Sequence, residues 1–195
     1  RLLRQHRRKK VGIIGCGPSG LVTAKEALDA GLEPIVFEKA LDIGGVWRLG
    51  TGHVWDSLRA NLPRQLMQFS DHPWALGTPD FPTCQQTYRY LRAYADRFKL
   101  NHHINLNTEV VSVEQLDNRW VIVTRSADEE NSQDGALSRH VCDYVVVAAG
   151  VFSKPAWPSV PGFGDLLRDH RSSVIHSSSY RSPEKVSSNR GHKIV

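Results

Sequence analysis

Val11-Gly-Ile-Ile-Gly-Cys-Gly-Pro-Ser-Gly20, followed one helix later by Pro34-Ile-Val-Phe-Glu38, is the stretch that decides the fold. Val11 to Gly15 is a short apolar run that turns glycine-rich, which reads as a buried parallel strand. From Pro18 to Ala30 the apolar positions Leu21, Val22, Ala24, Ala27 and Leu28 recur at helical spacing, and Gly31 stands just past the last turn. Pro34 to Glu38 is a second buried strand. Strand, helix and strand together make a βαβ unit of about 30 residues, the usual size of that motif.

Gly15-Cys-Gly-Pro-Ser-Gly20 is a G-x-G-x-x-G turn that follows a strand and opens a helix, with an acid, Glu38, closing the next strand. That context marks a dinucleotide site. Gly15 permits the tight turn, Gly17 lets the backbone approach a pyrophosphate, and Gly20 allows close helix–strand packing. The pyrophosphate is expected on the N–H groups and positive dipole end of the Pro18–Ala30 helix, with Pro18 and Ser19 at its first positions. Glu38 would accept hydrogen bonds from a ribose 2′-hydroxyl and repel a 2′-phosphate, so the dinucleotide is of the FAD or NAD type and not NADP. Beyond Glu38-Lys39 comes a second glycine pair in Asp42-Ile-Gly44-Gly45-Val46-Trp47. This favours an extended cofactor with a flavin ring beside Trp47; a plain loop with Trp47 in a core is the alternative.

Residues 40–84 lack periodicity but are rich in Gly, Pro and large aromatics such as Trp47, Trp55, Phe69, Trp74 and Phe81. They read as a wrapped loop packing against a ligand. Gln85 to Leu100 is a helix with Tyr88, Leu91, Tyr94, Ala95 and Phe98 on one stripe. The runs 107–113 and 120–124 read as strands, 126–138 as a polar connection, and Tyr144 to Ala149 as a buried strand leading to Gly150. The fold class is α/β: a Rossmann-like parallel sheet with helices and an inserted antiparallel hairpin or meander. Pro155 to Pro161 is an extended connector. Gly191-His-Lys-Ile-Val195 resembles the start of another strand. The expected organisation is a basic tail (1–10), a cofactor domain (11–190) and the beginning of a truncated second nucleotide domain (191–195).

The 195 residues carry 25 Lys+Arg against 20 Asp+Glu, a net charge of +5. Arg1, Arg4, Arg7, Arg8, Lys9 and Lys10 account for it, leaving 19 basic against 20 acidic residues beyond the tail. A nearly neutral body gives no nucleic-acid footprint. Cys16, Cys84 and Cys142 form no C-x-x-C pair, so neither a disulfide framework nor a cysteine zinc site is expected. The longest apolar run, Tyr144 to Phe152, is too short to span a membrane.

The runs GLEPIVFEKALDIGGVWR, RANLPRQLMQFSDHPW and VVVAAGVFSKPAWPSVPG resemble the FAD-binding half of the flavin-containing monooxygenases, class B flavoprotein monooxygenases that oxygenate nitrogen and sulfur. The likeness covers residues 11–195. It implies FAD held by Gly15, Gly17, Gly20, Glu38, Gly44, Gly45, Trp47 and Asn61, and the cofactor-binding set is completed by Pro18, Ser19, Lys39, Val46, Val110, Ala149 and Gly150. It also implies that Asn61 lies near the flavin, helping to position NADP⁺ and protect the oxygen adduct. The implied reaction reduces FAD with NADPH, whose own site would fall largely outside this chain. O₂ then adds at flavin C4a, and the hydroperoxide oxygenates a small N- or S-containing substrate. The family pattern F-x-G-x-x-x-H-S-x-x-Y matches at His176, Ser177 and Tyr180, but His170 and Ser172 stand where Phe and Gly are usual, and Ala60 stands where Thr or Ser is common. A cytoplasmic location follows, or the cytosolic face of an internal membrane if an anchor lies after residue 195.

No side-chain base is demanded by such a reaction. The adjacent His102 and His103 diverge on either a helix or a strand, so no metal site is expected. Cys16 reads as a small packed residue. Ser172 to Ser179 reads as a strand edge entering a turn. Two alternatives stay open: a flavoprotein reductase or oxidase of the same architecture, since fold does not fix reaction, and a non-catalytic FAD-binding fragment.

Overall fold

The computed structural model describes residues 7–48, 50, 54–129, 136–151, 154–171 and 174–186. Arg1 and Arg4 of the tail, Ser172, and the run from Gly191 to Val195 lie outside the described residues. Two compact units are present. One runs up to Gly45 and resumes over Tyr88–Gly150; the other comprises Val46–Thr87 and residues from Val151 onward.

The first unit is built on a parallel sheet of β1 (Lys10–Ile14), β2 (Glu33–Phe37), β3 (Ile104–Asn105) and β7 (Tyr144–Val147), in the order β3-β2-β1-β7. Helix α1 (Pro18–Asp29) is the crossover between β1 and β2. Its Gly20, Leu21, Ala24 and Ala27 are buried, the i, i+4, i+7 stripe of a helix laid on a sheet. Register pairs Ile13 with Val36 on one side and with Val146 on the other, but the buried strand expected over 144–149 is shorter and only half covered: β7 stands at the end of the sheet order, with Tyr144 and Val147 exposed. Lys10 is the first residue of β1, its N–H donating to Asp143 Oδ2 at 2.7 Å.

A second sheet is antiparallel: β4 (Thr108–Leu116), β5 (Arg119–Ser126) and β6 (Ser138–Cys142), in that order. The expected insertion is thus a three-stranded meander, its last strand starting where the polar connection ends. Phe37, Ile122 and Cys142 form the core between the sheets, with Ile35, Val110, Val113 and Val145 packed around it. A bulge follows Val110, where the register with β5 slips by one residue.

In the second unit, the short helix α2 (Arg64–Met67) is capped by tertiary contact, Trp74 Nε1 donating to the Arg64 carbonyl at 2.8 Å. Arg59 and Thr83 bridge antiparallel, and Arg181 gathers the carbonyls of Val54, Ser178 and Tyr180 with one guanidinium nitrogen. Helix α4 (Phe163–Asp169) and the one-turn α5 (Pro183–Val186) complete it. Ser177–Ser179 is a 3₁₀ turn capped by His176 Nδ1, which accepts from the Ser178 N–H at 3.1 Å. The strand edge expected before it is absent among the described residues, because 174–176 pair with no neighbouring strand. Helix α3 (Cys84–Arg97) begins here and continues into the first unit, where Tyr90, Leu91, Tyr94 and Ala95 are buried.

Candidate functional site

The strand order places a switch point at β1. The chain moves from β1 to β2 in one direction and returns, after the meander, to β7 on the opposite side. In open α/β sheets, ligands bind beyond the carboxyl ends of the strands at such a reversal. Three segments of the expected site leave the sheet at that edge: Gly15–Gly20 after β1, Glu38 and Lys39 after β2, and Ala149 and Gly150 after β7.

The three glycines of the turn have separable tasks. Gly15 has φ +100, and a Cβ there would lie 2.5 Å from the Ala148 carbonyl oxygen. Gly20 is pressed against the turn, since an added Cβ would fall 2.0 Å from the Gly15 oxygen. Both positions are closed by the protein itself. Gly17 differs: its φ of −77 suits any residue, and an added Cβ would meet only Gly45 Cα at 3.6 Å, an ordinary contact. Gly45 is the tighter side of that approach, with φ +57 and a Cβ position 3.0 Å from Gly17 Cα. The two glycine segments therefore stack backbone on backbone, a cradle that side chains would fill.

Helix α1 opens at this cradle with Gly17 as its N-cap, no side-chain cap and no acid in the first turn. Pro18 has no N–H to leave orphaned, and helix geometry gives the Ser19 and Gly20 N–H groups no intrahelical partner. An uncapped helix start with nearby glycine backbone suits a pyrophosphate.

Glu38 is only 9% exposed and holds the turn from below. Its Oε2 accepts from the Cys16 N–H at 2.7 Å and its Oε1 from the Ala40 N–H at 2.9 Å. Each oxygen keeps a further lone pair, so the carboxylate can orient the loop and still accept from a hydroxyl. The Cys16 carbonyl in turn accepts from the Gly44 N–H at 2.9 Å. Cys16 is fully buried, and burial first, then the charges of Glu38 and Asp42, push its thiol up to about 12. It is a packed group and not a nucleophile.

Sequence reading missed the group that anchors the second glycine pair. Asp42 Oδ1 accepts from the Ile43 N–H at 2.8 Å and from Arg92 Nη1 at 2.7 Å, while Oδ2 accepts from the Tyr88 hydroxyl. Burial acts to raise the Asp42 carboxyl, but the bonds from Tyr88, Ile43 and Arg92 outweigh it and leave it below the usual carboxylate range. The available signal was an acid two residues before a Gly-Gly pair and a Tyr/Arg pair at i, i+4 on α3.

Val110 lies on β4 just before the bulge, and β4 starts against the site, the Thr108 N–H donating to the Glu38 carbonyl at 2.8 Å. Lys39, Ala149 and Gly150 are exposed at the edge. Val46, Trp47 and Asn61 belong to the second unit. There Asn61 is exposed beside the buried Ala60, and the Trp47 carbonyl accepts from Cys84 Sγ at 3.3 Å. Trp47 also lines a cavity of about 480 Å³ with Val54, Trp55, Leu58, Lys154 and His176. Among the described residues, no group of three or more His, Cys, Asp or Glu side chains is gathered as a metal site would require. No described helix is long and apolar enough to cross a membrane.

A model of the flavin-binding monooxygenase-like family matches residues 8–194. The chain belongs to that family. It is similar to dimethylaniline monooxygenase (N-oxide-forming) 4 of Mus musculus, 33% identical over 200 residues, covering 96% of this chain and 33% of the relative. Among solved structures it is similar to the S-allyl-L-cysteine S-oxygenase of Allium sativum, with a TM-score of 0.76 and 28% identity over 91% of this chain and 43% of that one. The bacillithiol disulfide reductase of Bacillus cereus shares the fold at a TM-score of 0.66 and 23% identity, over 80% of this chain and 44% of that one. The chain spans about a third of the length of the curated relatives it matches. The disulfide reductase shows the same fold on a protein named for a different reaction.

Proposed function

We propose that this chain forms the FAD-binding part of an NADPH-using monooxygenase that oxygenates soft nucleophiles, the nitrogen or sulfur of small molecules. The observation that carries the reading is the cradle at the start of α1. There an uncapped helix terminus, glycine backbone free of side chains and a buried carboxylate converge on one sheet edge. Such a site suits a pyrophosphate flanked by an adenosine ribose. The family relationship supports flavin as the other half of the dinucleotide.

When bound, the flavin supplies the redox chemistry and the activation of oxygen. The chain's residues have simpler tasks. Ser19 and Gly20 N–H groups bind phosphate, Glu38 accepts from the ribose, and Gly44 and Gly45 cover the glycine turn. Trp47 and the Asn61 amide are assigned to the flavin by the family resemblance. Asn61 acts there by hydrogen bonding, since an amide does not transfer protons at neutral pH. The overall reaction consumes NADPH, a proton and O₂ with the substrate, and yields NADP⁺, water and the oxygenated product.

Purified protein incubated with FAD should take up one equivalent with a protein-bound visible spectrum. In a longer form that carries the NADPH site, turnover with NADPH, a tertiary arylamine or a thioether, and ¹⁸O₂ should give a product with a single ¹⁸O. NADPH oxidation that yields only peroxide, with no label in the product, would instead assign the reductase or oxidase reading. A purified chain that stays colourless after incubation with FAD would exclude flavin binding altogether.

A further inference from the structure

We propose that Asp42, held by Tyr88 and Arg92, is the positioning group for the cofactor, fixing the second glycine pair over the first so that the phosphate seat has one width. The inference rests on the reading of this site as a dinucleotide site, and it names residues that neither glycine motif contains. Gly44 and Gly45 both have positive φ, +112 and +57, so their backbone has no steric preference of its own for the position it takes. Two attachments locate it. One is the neutral hydrogen bond from the Gly44 N–H to the Cys16 carbonyl, at 2.9 Å. The other is Asp42, where three donors from two segments converge on a single carboxylate: the Ile43 N–H of the turn itself, and Tyr88 and Arg92 from successive turns of α3.

The convergence ties the flexible segment to a rigid helix. Tyr88 and Arg92 are spaced four residues apart and share a face of α3, whose next turns carry the buried Leu91, Tyr94 and Ala95. The helix cannot follow the glycine pair if the pair swings outward, so the clamp holds the pair in. From Gly45 the constraint passes directly to Gly17, whose backbone it approaches at van der Waals distance. From Cys16 it passes to Glu38 through the 2.7 Å bond to Oε2. Turn, helix start and ribose acid are thus one hydrogen-bonded chain with Asp42 at its outer end. Asp42 touches no ligand in this scheme; it acts through the glycine backbone.

Equilibrium titration of the purified chain with FAD, followed by quenching of flavin fluorescence, tests the inference, with ADP as a second probe that shares the pyrophosphate. Asp42→Asn removes the charge while keeping the shape. Its FAD dissociation constant should rise about 10- to 30-fold, the lower part of the range for a charge-assisted hydrogen bond, because both side chains of the ion pair are partly exposed. ADP should weaken in parallel. Arg92→Lys should recover most of the affinity that Arg92→Met loses. Tyr88→Phe, which deletes one oxygen and is expected to fold, should weaken FAD about three- to tenfold. Wild-type chain that binds FAD, with Asp42→Asn binding within twofold of it, overturns the inference alone. A lowered melting midpoint in Asp42→Asn at unchanged affinity also overturns it, since the clamp would then serve stability and not the seat. Wild-type chain that takes up neither FAD nor ADP overturns the cofactor reading, and the inference falls with it.

Discussion

Alanine at Gly20 and alanine at Gly17 separate what the glycine turn does for the protein from what it does for the ligand. At Gly20 a methyl group would sit 2.0 Å from the Gly15 carbonyl oxygen and 3.0 Å from its carbon, both backbone atoms. Contact requires more than 3 Å, so α1 or the turn must shift by over an ångström against a packed layer that includes Leu21 and Ala24. Overpacking of that kind costs about 1–3 kcal/mol and sometimes more. Alanine returns about 1 kcal/mol through its better helix propensity. Because the 2.0 Å clash is with backbone atoms, the upper end of that range applies, and about 3 less about 1 leaves a net loss of about 2 kcal/mol, which moves a urea midpoint down by about 1 M for a chain with a slope near 2 kcal/mol/M. At Gly17 the methyl meets only Gly45 Cα at 3.6 Å, and φ is already −77. Only the weaker N-cap preference of alanine opposes the change, at about 1 kcal/mol or less. Urea unfolding by circular dichroism, with flavin content measured on the same preparations, should therefore show Gly20→Ala destabilised more than Gly17→Ala. Gly17→Val should fold and lose flavin, its side chain filling the approach to the phosphate. Equal midpoints for the two alanine variants would refute the division of labour, and full flavin content in Gly17→Val would remove Gly17 from the binding site.

Three further outcomes can be checked. Cys16, with its thiol pushed up to about 12 by burial and by the charges of Glu38 and Asp42, stays protonated in the native protein at pH 8. Mass spectrometry after iodoacetamide should find it unmodified until denaturant is added; native labelling at the rate of an exposed thiol would contradict the packing. The same shift means the folded chain holds this proton above pH 9, where the unfolded thiol gives it up, so the thiol's contribution to stability is lost progressively from about pH 9 to 12. His140 stacks against Phe37 at 4.7 Å, and its Nε2 lies 3.0 Å from Thr124 Oγ1. Burial, then the charge of Lys10, lowers its pKa, so the stability tied to its neutral form should be lost as pH falls through and below 6.5. Urea midpoints at pH 7.5 and pH 5 should differ less in His140→Gln than in wild type, and an unchanged difference would clear His140 of any part. Asn61→Ala should keep its flavin yet release more peroxide per NADPH in the form that turns over NADPH, and unchanged peroxide would take Asn61 out of the mechanism.

The βαβ start was legible because three independent signals coincide there: strand periodicity, helical periodicity and glycines at fixed spacing. The structure supplies a steric reason for Gly15 and Gly20 directly. Strand β3, two residues long, carries no period to detect. Strand β6 was hidden because only Cys142 of its five residues is buried, so the run just after the polar connection carries no alternating signal. The Asp42 clamp escaped because it joins positions 46 and 50 residues apart through side chains, and sequence patterns report neighbours in an element, not partners across a loop. The second unit was least legible. Its order comes from single side chains satisfying backbone carbonyls, as Arg181 and Trp74 do, and such bonds leave no periodic trace.

The return of β7 to the side of β1 has a consequence for how the chain comes to be folded. Gly15 is seated against Ala148, and the Ala148 N–H donates to the Ile14 carbonyl at 2.8 Å, so the glycine turn is walled on that side only when a strand made 133 residues later has paired. Closing so long a loop adds little equilibrium cost, since the entropy grows with the logarithm of length, but non-local pairing slows the search. On a ribosome, β1, α1 and β2 emerge with the phosphate seat half walled, and the seat is completed only when Ala148 and Ala149 have cleared the exit. A ligand that recognises the finished seat alone would draw nascent chains forward by mass action. The supply of flavin would then govern how much protein accumulates as well as how much is active.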